Sequence, residues 1–411
     1  MTDAGPGNDA VPLPTLADIE SARESLQGVS IYTPMEESRW LSAIAGGPVR
    51  LKAENLQRTG SFKIRGAYLR ICRLSDEEKA LGVVAASAGN HAQGVALAAQ
   101  MLGIKATVFM PEGAPIPKEK ATRGYGATVR FHGHSIDEAL VAALEFSHET
   151  GAVLIHPFDH IDIVTGQGTC GLEILEQCPD VRTVVVPTGG GGFIAGVATA
   201  VKAVRPDVRV VGVQAEGAAA YVGSLAEGRP VALASMATMA DGIAVGCPGE
   251  VPFQAIQRYV DEVLTVSEES LSRALLMLLE RAKLLVEPAG AAAVAAILDH
   301  PERFETPAVA VLSGGNVDPL LLMRVIRHGM ASAGRYLYFR ARIPDVPGGL
   351  ARLLNELADV EANVLDVVHE RTSASLHLDE VEVQLQVETR GVEHAERVLA
   401  RLRECGYTVT Q

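Results

Sequence analysis

The sequence predicts an α/β protein with parallel sheets covered by helices on both faces, followed by a smaller module of mixed strands and helices. Short strands rich in valine and alanine alternate with helical stretches through most of the chain. Glycine-rich segments follow three of these strands, at the sheet edge where parallel sheets bind ligands. After about residue 334 apolar and polar residues alternate strictly, which is typical of a half-buried antiparallel strand.

Each element of the first part follows from a local pattern. Thr15 to Asp18 forms a capping signature for a helix that ends near Gln27, after a tail of a dozen residues that we expect to be disordered. Another helix begins near Ser61. We then expect strands at 82–87, 105–110, 127–131, 152–155, 183–187, 208–213 and 308–312, and helices at 91–102, 117–125, 136–149, 163–177, 194–204, 269–282 and 289–298.

The last part has the order βαββαβ, which is typical of a ferredoxin-like module. Val381, Val383 and Leu385 alternate with polar residues and predict its central strand. The predicted elements are strands at 336–343, 364–368, 381–387 and 406–409, and helices starting near 350 and 392.

Composition excludes several classes of function. The net charge of −14 argues against binding to a phosphate backbone, which needs basic patches. The most apolar window, 284–298, contains Glu287 and Pro288, so we expect no membrane span. Five scattered cysteines without metal-ligand spacing, and a polar N-terminus, predict a cytoplasmic protein without a metal site.

Lys63 lies in the segment Arg58–Tyr68 among small and aromatic neighbours, whereas most lysines lie among other charges. A partly desolvated amine has a lowered pKa and can form a Schiff base with an aldehyde. The alternative is an ordinary lysine at a helix start, next to a packed Phe62. The glycine-rich segments decide between these two interpretations.

The segment Thr188–Phe193 follows a strand and opens a helix, a position where backbone N–H groups can bind a phosphate. A P-loop is excluded because the sequence has no GxxxxGK[ST] motif. The anion is therefore interpreted as the phosphate of a cofactor. The candidate phosphate-binding residues are Gly189, Gly190, Gly191 and Gly192.

Two further loops complete the candidate site. The segment Ser87–His91 has N–H groups suited to a substrate carboxylate, and Asn90 suits a phenolic oxygen on a cofactor ring. Helix capping is the alternative for Ser87 and Asn90. Ser313 is a candidate partner for a pyridine nitrogen. The candidate substrate-binding residues are Ser87, Ala88, Gly89, Asn90 and His91.

Together these segments resemble the fold-type II pyridoxal-phosphate enzymes, whose fold is that of the tryptophan synthase β chain, and among them the threonine ammonia-lyases. The resemblance implies a catalytic domain over 1–330, with a small subdomain at about 53–155 inserted in a large one. It implies that Lys63 carries pyridoxal phosphate and takes the Cα proton, and that Phe62 also belongs to the cofactor site. The glycines then hold the phosphate, Asn90 the ring oxygen and Ser313 the ring nitrogen.

The implied reaction converts L-threonine to 2-oxobutanoate and ammonia, and L-serine to pyruvate. Serine racemase, hydroxyaspartate dehydratase and a non-catalytic amino-acid sensor are the alternatives. In the related racemases a second serine follows the first, and Ala88 stands at that position here, which favours dehydration. The family stretches at Asp241–Gly242 and Glu287–Gly290 are interpreted as mostly structural.

Residues 335–411 resemble an ACT domain, a regulatory module that binds amino acids between paired copies. The resemblance implies an amino-acid effector such as isoleucine or valine, and a homodimer or homotetramer. The pathway, isoleucine biosynthesis or degradation, stays open. The candidate effector-binding residues are Asp345, Pro347, Gly348, Gly349, Leu350 and Asn363.

Overall fold

The structure, a computed structural model, describes residues 11–371 and 379–410. The chain divides into two compact units, Met1–Pro319 and Leu320–Gln411. Most of the tail that was predicted to be disordered lies outside the described residues. Within the described part, no helix combines the length and apolar character needed to cross a membrane.

The first unit contains two sheets with helices packed on them. Its strands are β1 (Met35–Glu37), β2 (Val49–Lys52), β3 (Val83–Ala86), β4 (Ala106–Met110), β5 (Thr128–Phe131), β6 (Val153–Leu154), β7 (Thr183–Pro187), β8 (Arg209–Ala215), β9 (Glu262–Val266) and β10 (Ala308–Val311). Its helices are α1 (Leu16–Ser25), α2 (Arg39–Ala45), α3 (Lys63–Cys72), α4 (Asp76–Leu81), α5 (Asn90–Leu102), α6 (Ile116–Gly124), α7 (Ile136–Thr150), α8 (Ile161–Gln177), α9 (Gly192–Val204), α10 (Ala220–Glu227), α11 (Glu250–Tyr259), α12 (Glu268–Met277) and α13 (Pro288–Asp299).

The larger sheet has the order β1-β2-β10-β7-β8-β9 and is parallel except for the edge strand β1. All residues of β7 and β10 are buried, as expected for central strands covered on both faces. Helices α8, α9 and α13 are buried along most of their length, and α8 and α9 pack closely on each other. The small residues of these helices allow this close approach.

The smaller sheet has the order β5-β4-β3-β6 and is entirely parallel. One face contributes Val83, Ala85 and Val108 to a core with α3 and α5. The other face contributes Val84 and Phe109 to a core with α7. The prediction of two parallel sheets in one catalytic unit is therefore confirmed.

The second unit is a single antiparallel sheet with helices. Its helices are α14 (Pro319–Ser332, starting at the last residue of the first unit), α15 (Gly349–Asp359) and α16 (Val392–Glu404), and its strands are β11 (Tyr336–Pro344), β12 (Asn363–Glu370), β13 (Glu380–Glu388) and β14 (Thr408–Thr410). The sheet order β12-β13-β11-β14 and the predicted βαββαβ succession are those of a ferredoxin-like module.

Several elements were not predicted from the sequence: β1, β2, β9, α2, α4, α10, α11 and α14. Strand β1 pairs antiparallel with the neighbouring β2, β2 pairs with the distant β10, and β9 pairs with β8. Helix α11 carries Pro252 in its first turn, a position where proline is tolerated. The helix predicted over 269–282 ends as an α-helix at Met277 and continues as a π-helical turn, Leu278–Ala282.

Candidate active site

A cavity of about 1020 Å³ lies where β3, β7 and β10 end in the first unit. Parallel strands place their carboxyl ends along one edge, so the three loops that follow them converge there. The cavity is lined by all the candidate cofactor- and substrate-binding residues: Phe62, Lys63, Ser87, Ala88, Gly89, Asn90, His91, Gly189, Gly190, Gly191, Gly192 and Ser313.

Helix α3, which begins at Lys63, is fixed by the buried Arg65. The Arg65 guanidinium pairs with Glu54 at 2.8 Å and with Glu173 at 2.7 Å, and all three side chains are almost completely buried. Gly66 faces Gly166 of α8 so closely that a Cβ on Gly166 would lie 2.7 Å from the Gly66 Cα. The helix that carries Lys63 is therefore held closely against α8.

The Lys63 amine points into the cavity and donates a hydrogen bond to the carbonyl oxygen of Pro157 at 3.0 Å. Burial lowers the pKa of Lys63 to about 8, although the nearby Glu287 carboxylate opposes this shift. Phe62 stacks on Phe193 with 3.9 Å between ring centroids, which fixes the start of the helix. A lysine of this kind is largely neutral at mildly alkaline pH and can act as a nucleophile or as a base.

The loop from Gly189 to Gly192 must be glycine for reasons of packing as well as for backbone access. A Cβ on Gly190 would lie 2.4 Å from the Phe158 ring, and one on Gly191 would lie 2.0 Å from the Tyr221 hydroxyl oxygen. Gly191 also has a φ of +93° and caps α9. The result is a bare backbone turn at a helix N-terminus, a position that favours an anion.

The loop Ser87–His91 leads from β3 into α5, as the glycine loop leads from β7 into α9. The Ser87 hydroxyl accepts a hydrogen bond from the backbone N–H of Gly89 at 3.1 Å, and α5 begins at Asn90. The His91 ring is buried and donates through Nε2 to the carbonyl oxygen of Ile155 at 2.7 Å. Burial, together with the charge of Lys63, lowers the pKa of His91 to about 3, so this ring is neutral.

Asn90 is held between two side chains. Its Nδ2 donates to Glu287 Oε1 at 2.6 Å, and its Oδ1 accepts from Asn316 Nδ2 at 2.8 Å. The orientation of the amide is therefore determined. An amide nitrogen has a second hydrogen, which is available for an acceptor in the cavity.

Glu287 corrects an interpretation made from sequence. It precedes α13 as expected, yet its side chain makes no capping hydrogen bond and instead lines the cavity. Burial, and then the charge of Asp241, raise the pKa of Glu287 to about 7. Its Oε2 is buried and has no hydrogen-bond partner within the described ranges. Gly314 makes room for the carboxyl group, since a Cβ there would lie 2.2 Å from Glu287 Oε1.

Sequence reasoning missed two further residues of the cavity wall. Lys118 was not singled out, and Asp241 was interpreted as a loop anchor, yet the two form an ion pair at the cavity. The match of Asp241–Gly242 to a family stretch could have indicated Asp241. Nothing distinguished Lys118 from Lys120 two residues further along α6.

The chain matches the family described as pyridoxal-phosphate dependent enzyme over residues 27–314. It belongs to this family. A curated L-threonine ammonia-lyase of Thermotoga maritima is 46% identical over 395 residues, which are 96% of this chain and 98% of that protein.

Solved structures agree with this assignment. A threonine deaminase from T.th. is 43% identical, with a TM-score of 0.71, over 74% of this chain and 99% of that one. Maize serine racemase is 35% identical, with a TM-score of 0.73, over 78% of this chain and 99% of that one.

The cavity fits the cofactor of the family. Gly189–Gly192 provide a backbone turn at the start of α9 for a dianionic phosphate, and close packing against Phe158 and Tyr221 excludes a Cβ at Gly190 and Gly191. Lys63 provides an amine for the aldehyde, and Asn90 provides a fixed N–H for the ring oxygen. The cavity therefore offers one suitable group each for the aldehyde, the phosphate and the ring oxygen of pyridoxal phosphate.

The candidate effector residues lie in the second unit and fall into two groups. Asp345, Pro347 and Gly348 lie in the turn between β11 and α15, and Gly349 and Leu350 begin α15. Asp345 pairs with Arg371. Asn363 begins β12 and lies opposite Glu388 of β13. Glu388 in turn lies opposite Tyr336, at the end of β11 that is farther from this turn. The strand places the two groups roughly 30 Å apart within one chain.

Proposed function

We propose that this protein is a threonine ammonia-lyase that converts L-threonine to 2-oxobutanoate and ammonia, and also converts L-serine to pyruvate. The observation that carries the proposal is the convergence of Lys63 with a phosphate turn, a carboxylate loop and Ser313 around one cavity. The identity of 46% to an L-threonine ammonia-lyase over almost the full length supports it. A non-catalytic sensor has no need of this set of residues.

Pyridoxal phosphate, when bound, supplies the electron sink that stabilises negative charge at Cα of the substrate. Lys63 takes the Cα proton, because its lowered pKa leaves it largely neutral at mildly alkaline pH. The backbone N–H groups of the loop Ser87–His91 hold the substrate carboxylate at the start of α5. Asn90, held by Glu287 and Asn316, would offer its remaining N–H to the ring oxygen.

The outcome is elimination rather than racemisation. Ser313 would be a neutral partner for the ring nitrogen. A neutral partner would not favour a long-lived negative charge at Cα, so loss of the β-hydroxyl would be favoured. Racemisation also needs an acid on the opposite face of the substrate. Ala88 lines the cavity where the related racemases carry a serine, and a methyl group cannot supply a proton.

An amino acid such as isoleucine or valine is proposed as the effector of the second unit. The two groups of candidate effector residues lie at opposite ends of its sheet in one chain, so we propose that the effector binds between two copies. A homodimer or homotetramer follows from that arrangement. A cytoplasmic location is proposed because the five cysteines, all within the described residues, form no disulfide.

The test is turnover of a panel of amino acids by the holoenzyme. We expect 2-oxobutanoate from L-threonine and a smaller yield of pyruvate from L-serine, with no D-serine formed from L-serine. Turnover of only β-hydroxyaspartate or cysteine derivatives would replace the proposed substrate. Formation of D-serine as the main product would replace the proposed reaction.

A further inference from the structure

Lys118 is a nearly buried cation in the wall of the active-site cavity. Its side chain is 7% exposed, and its ammonium group donates a hydrogen bond to the Asp241 carboxylate. The Asp241 side chain is 53% exposed. The lysine has therefore lost its hydration, whereas its counter-ion has kept much of its own.

This imbalance differs from the structural ion pairs of the same unit. Lys52 is completely buried, but its partner Glu173 is only 7% exposed and also serves Arg65. A buried charge is compensated when its partners are buried and hydrogen-bonded with it. The Lys118–Asp241 pair lacks that compensation, so a second anion in the cavity would be stabilised there.

The ammonium group of Lys118 faces the loop Ser87–His91. A Cβ on Gly89 would lie 4.0 Å from Lys118 Nζ, and Gly89 is the residue that caps α5. An anion bound by the first N–H groups of α5 therefore lies within reach of the lysine. An ammonium group has three donors, so it can serve this anion and Asp241 together.

We propose that Lys118 binds the α-carboxylate of the amino-acid substrate together with the loop Ser87–His91. This inference rests on the proposed function and names a residue that selects free amino acids over their amides and esters. Asp241 competes with the substrate carboxylate for the lysine. The charge pair is thus a binding element, and its two members have opposite effects on substrate affinity.

The test measures binding without turnover, by calorimetry on the holoenzyme. L-Alanine has the carboxylate but no hydroxyl to lose, and L-alaninamide has no carboxylate. We expect Lys118→Met to raise the Kd of L-alanine about tenfold to a hundredfold, the loss of one charged hydrogen bond, and to leave that of L-alaninamide nearly unchanged. Lys118→Arg keeps the charge and should recover most of the affinity.

Asp241→Asn separates binding from a structural role. We expect it to lower the Kd of L-alanine or leave it unchanged, because a competing carboxylate is removed. Lys120→Met, an exposed lysine of the same helix, is the matched control and should change neither Kd. If Lys118→Met does not fold, Lys118→Gln gives the same comparison.

The proposal is overturned if Lys118→Met weakens both ligands equally, or leaves both unchanged. It is also overturned if Asp241→Asn weakens L-alanine as much as Lys118→Met does, since a purely structural ion pair predicts equal losses. Failure of the proposed function has a different signature. In that case the holoenzyme still prefers L-alanine to L-alaninamide through Lys118, but it does not convert L-threonine.

Discussion

The lowered pKa of Lys63 predicts how fast the protein without cofactor captures pyridoxal phosphate at different pH values. Only the neutral amine attacks an aldehyde, so the capture rate follows the neutral fraction of Lys63. Burial lowers the pKa from an ordinary 10.5 to about 8. At pH 7 roughly a tenth of the amines is then neutral, against roughly three in ten thousand at the ordinary value, which is ~300-fold faster capture.

The assay is stopped-flow absorbance of cofactor capture between pH 6 and 10, values chosen to bracket the expected midpoint at about 8. The variant Glu287→Gln removes a carboxylate that raises the pKa of Lys63. We therefore expect the midpoint of its capture rate against pH to move to lower pH. A midpoint near 10.5 in the unmodified protein would refute the reasoning that burial controls this amine. An unchanged midpoint in Glu287→Gln would refute the electrostatic link between the two residues.

Three further outcomes follow from the same geometry. Gly191→Ala should weaken cofactor binding at least tenfold in equilibrium titration, because its φ of +93° and the Tyr221 hydroxyl both exclude a Cβ, at a cost of about 1–3 kcal/mol for the backbone alone. Gly223→Ala, where a Cβ meets nothing, is the control and should bind normally. Arg65→Met should lower the free energy of unfolding by about 3–5 kcal/mol in urea titration, because the buried Glu54 carboxylate loses its arginine partner and Glu173 keeps only Lys52; a loss below about 1 kcal/mol would contradict this. Glu287 has a raised pKa in the folded protein, so its contribution to stability falls as pH rises from 4.5 to about 7; Glu287→Gln should flatten the pH dependence of unfolding in that window, and an unchanged slope would count against the shift.

The fold class was predictable because its strongest signals are local. Strand Thr183–Pro187 is a short apolar run, followed by glycines and then by a helix, and this succession alone indicates a parallel sheet with a phosphate turn. The strict alternation in Glu380–Glu388 likewise fixed the antiparallel module. Strands β1 and β2 were missed because they contain charged residues and lack the Val- and Ala-rich runs of the central strands. They are strands through their pairing with each other and with β10.

The residues of the candidate site likewise fall into those with a local sequence motif and those without one. Lys63 and the residues of the three loops were predictable because each lies in a local motif at a strand end. Glu287 was assigned only a helix start, because its contact with Asn90 joins residues far apart in the sequence. Lys118 had no local signal, and its burial and its position beside Gly89 arise only in the folded chain.

The central claim is that Lys63 holds pyridoxal phosphate in the cavity that performs the elimination. The most direct measurement is reduction of the holoenzyme with borohydride, followed by peptide mass spectrometry to locate the lysine that carries the cofactor. We expect the modification on Lys63, and we expect Lys63→Ala to lose both the label and the production of 2-oxobutanoate from L-threonine. Modification of another lysine such as Lys118, or turnover that survives Lys63→Ala, would contradict it.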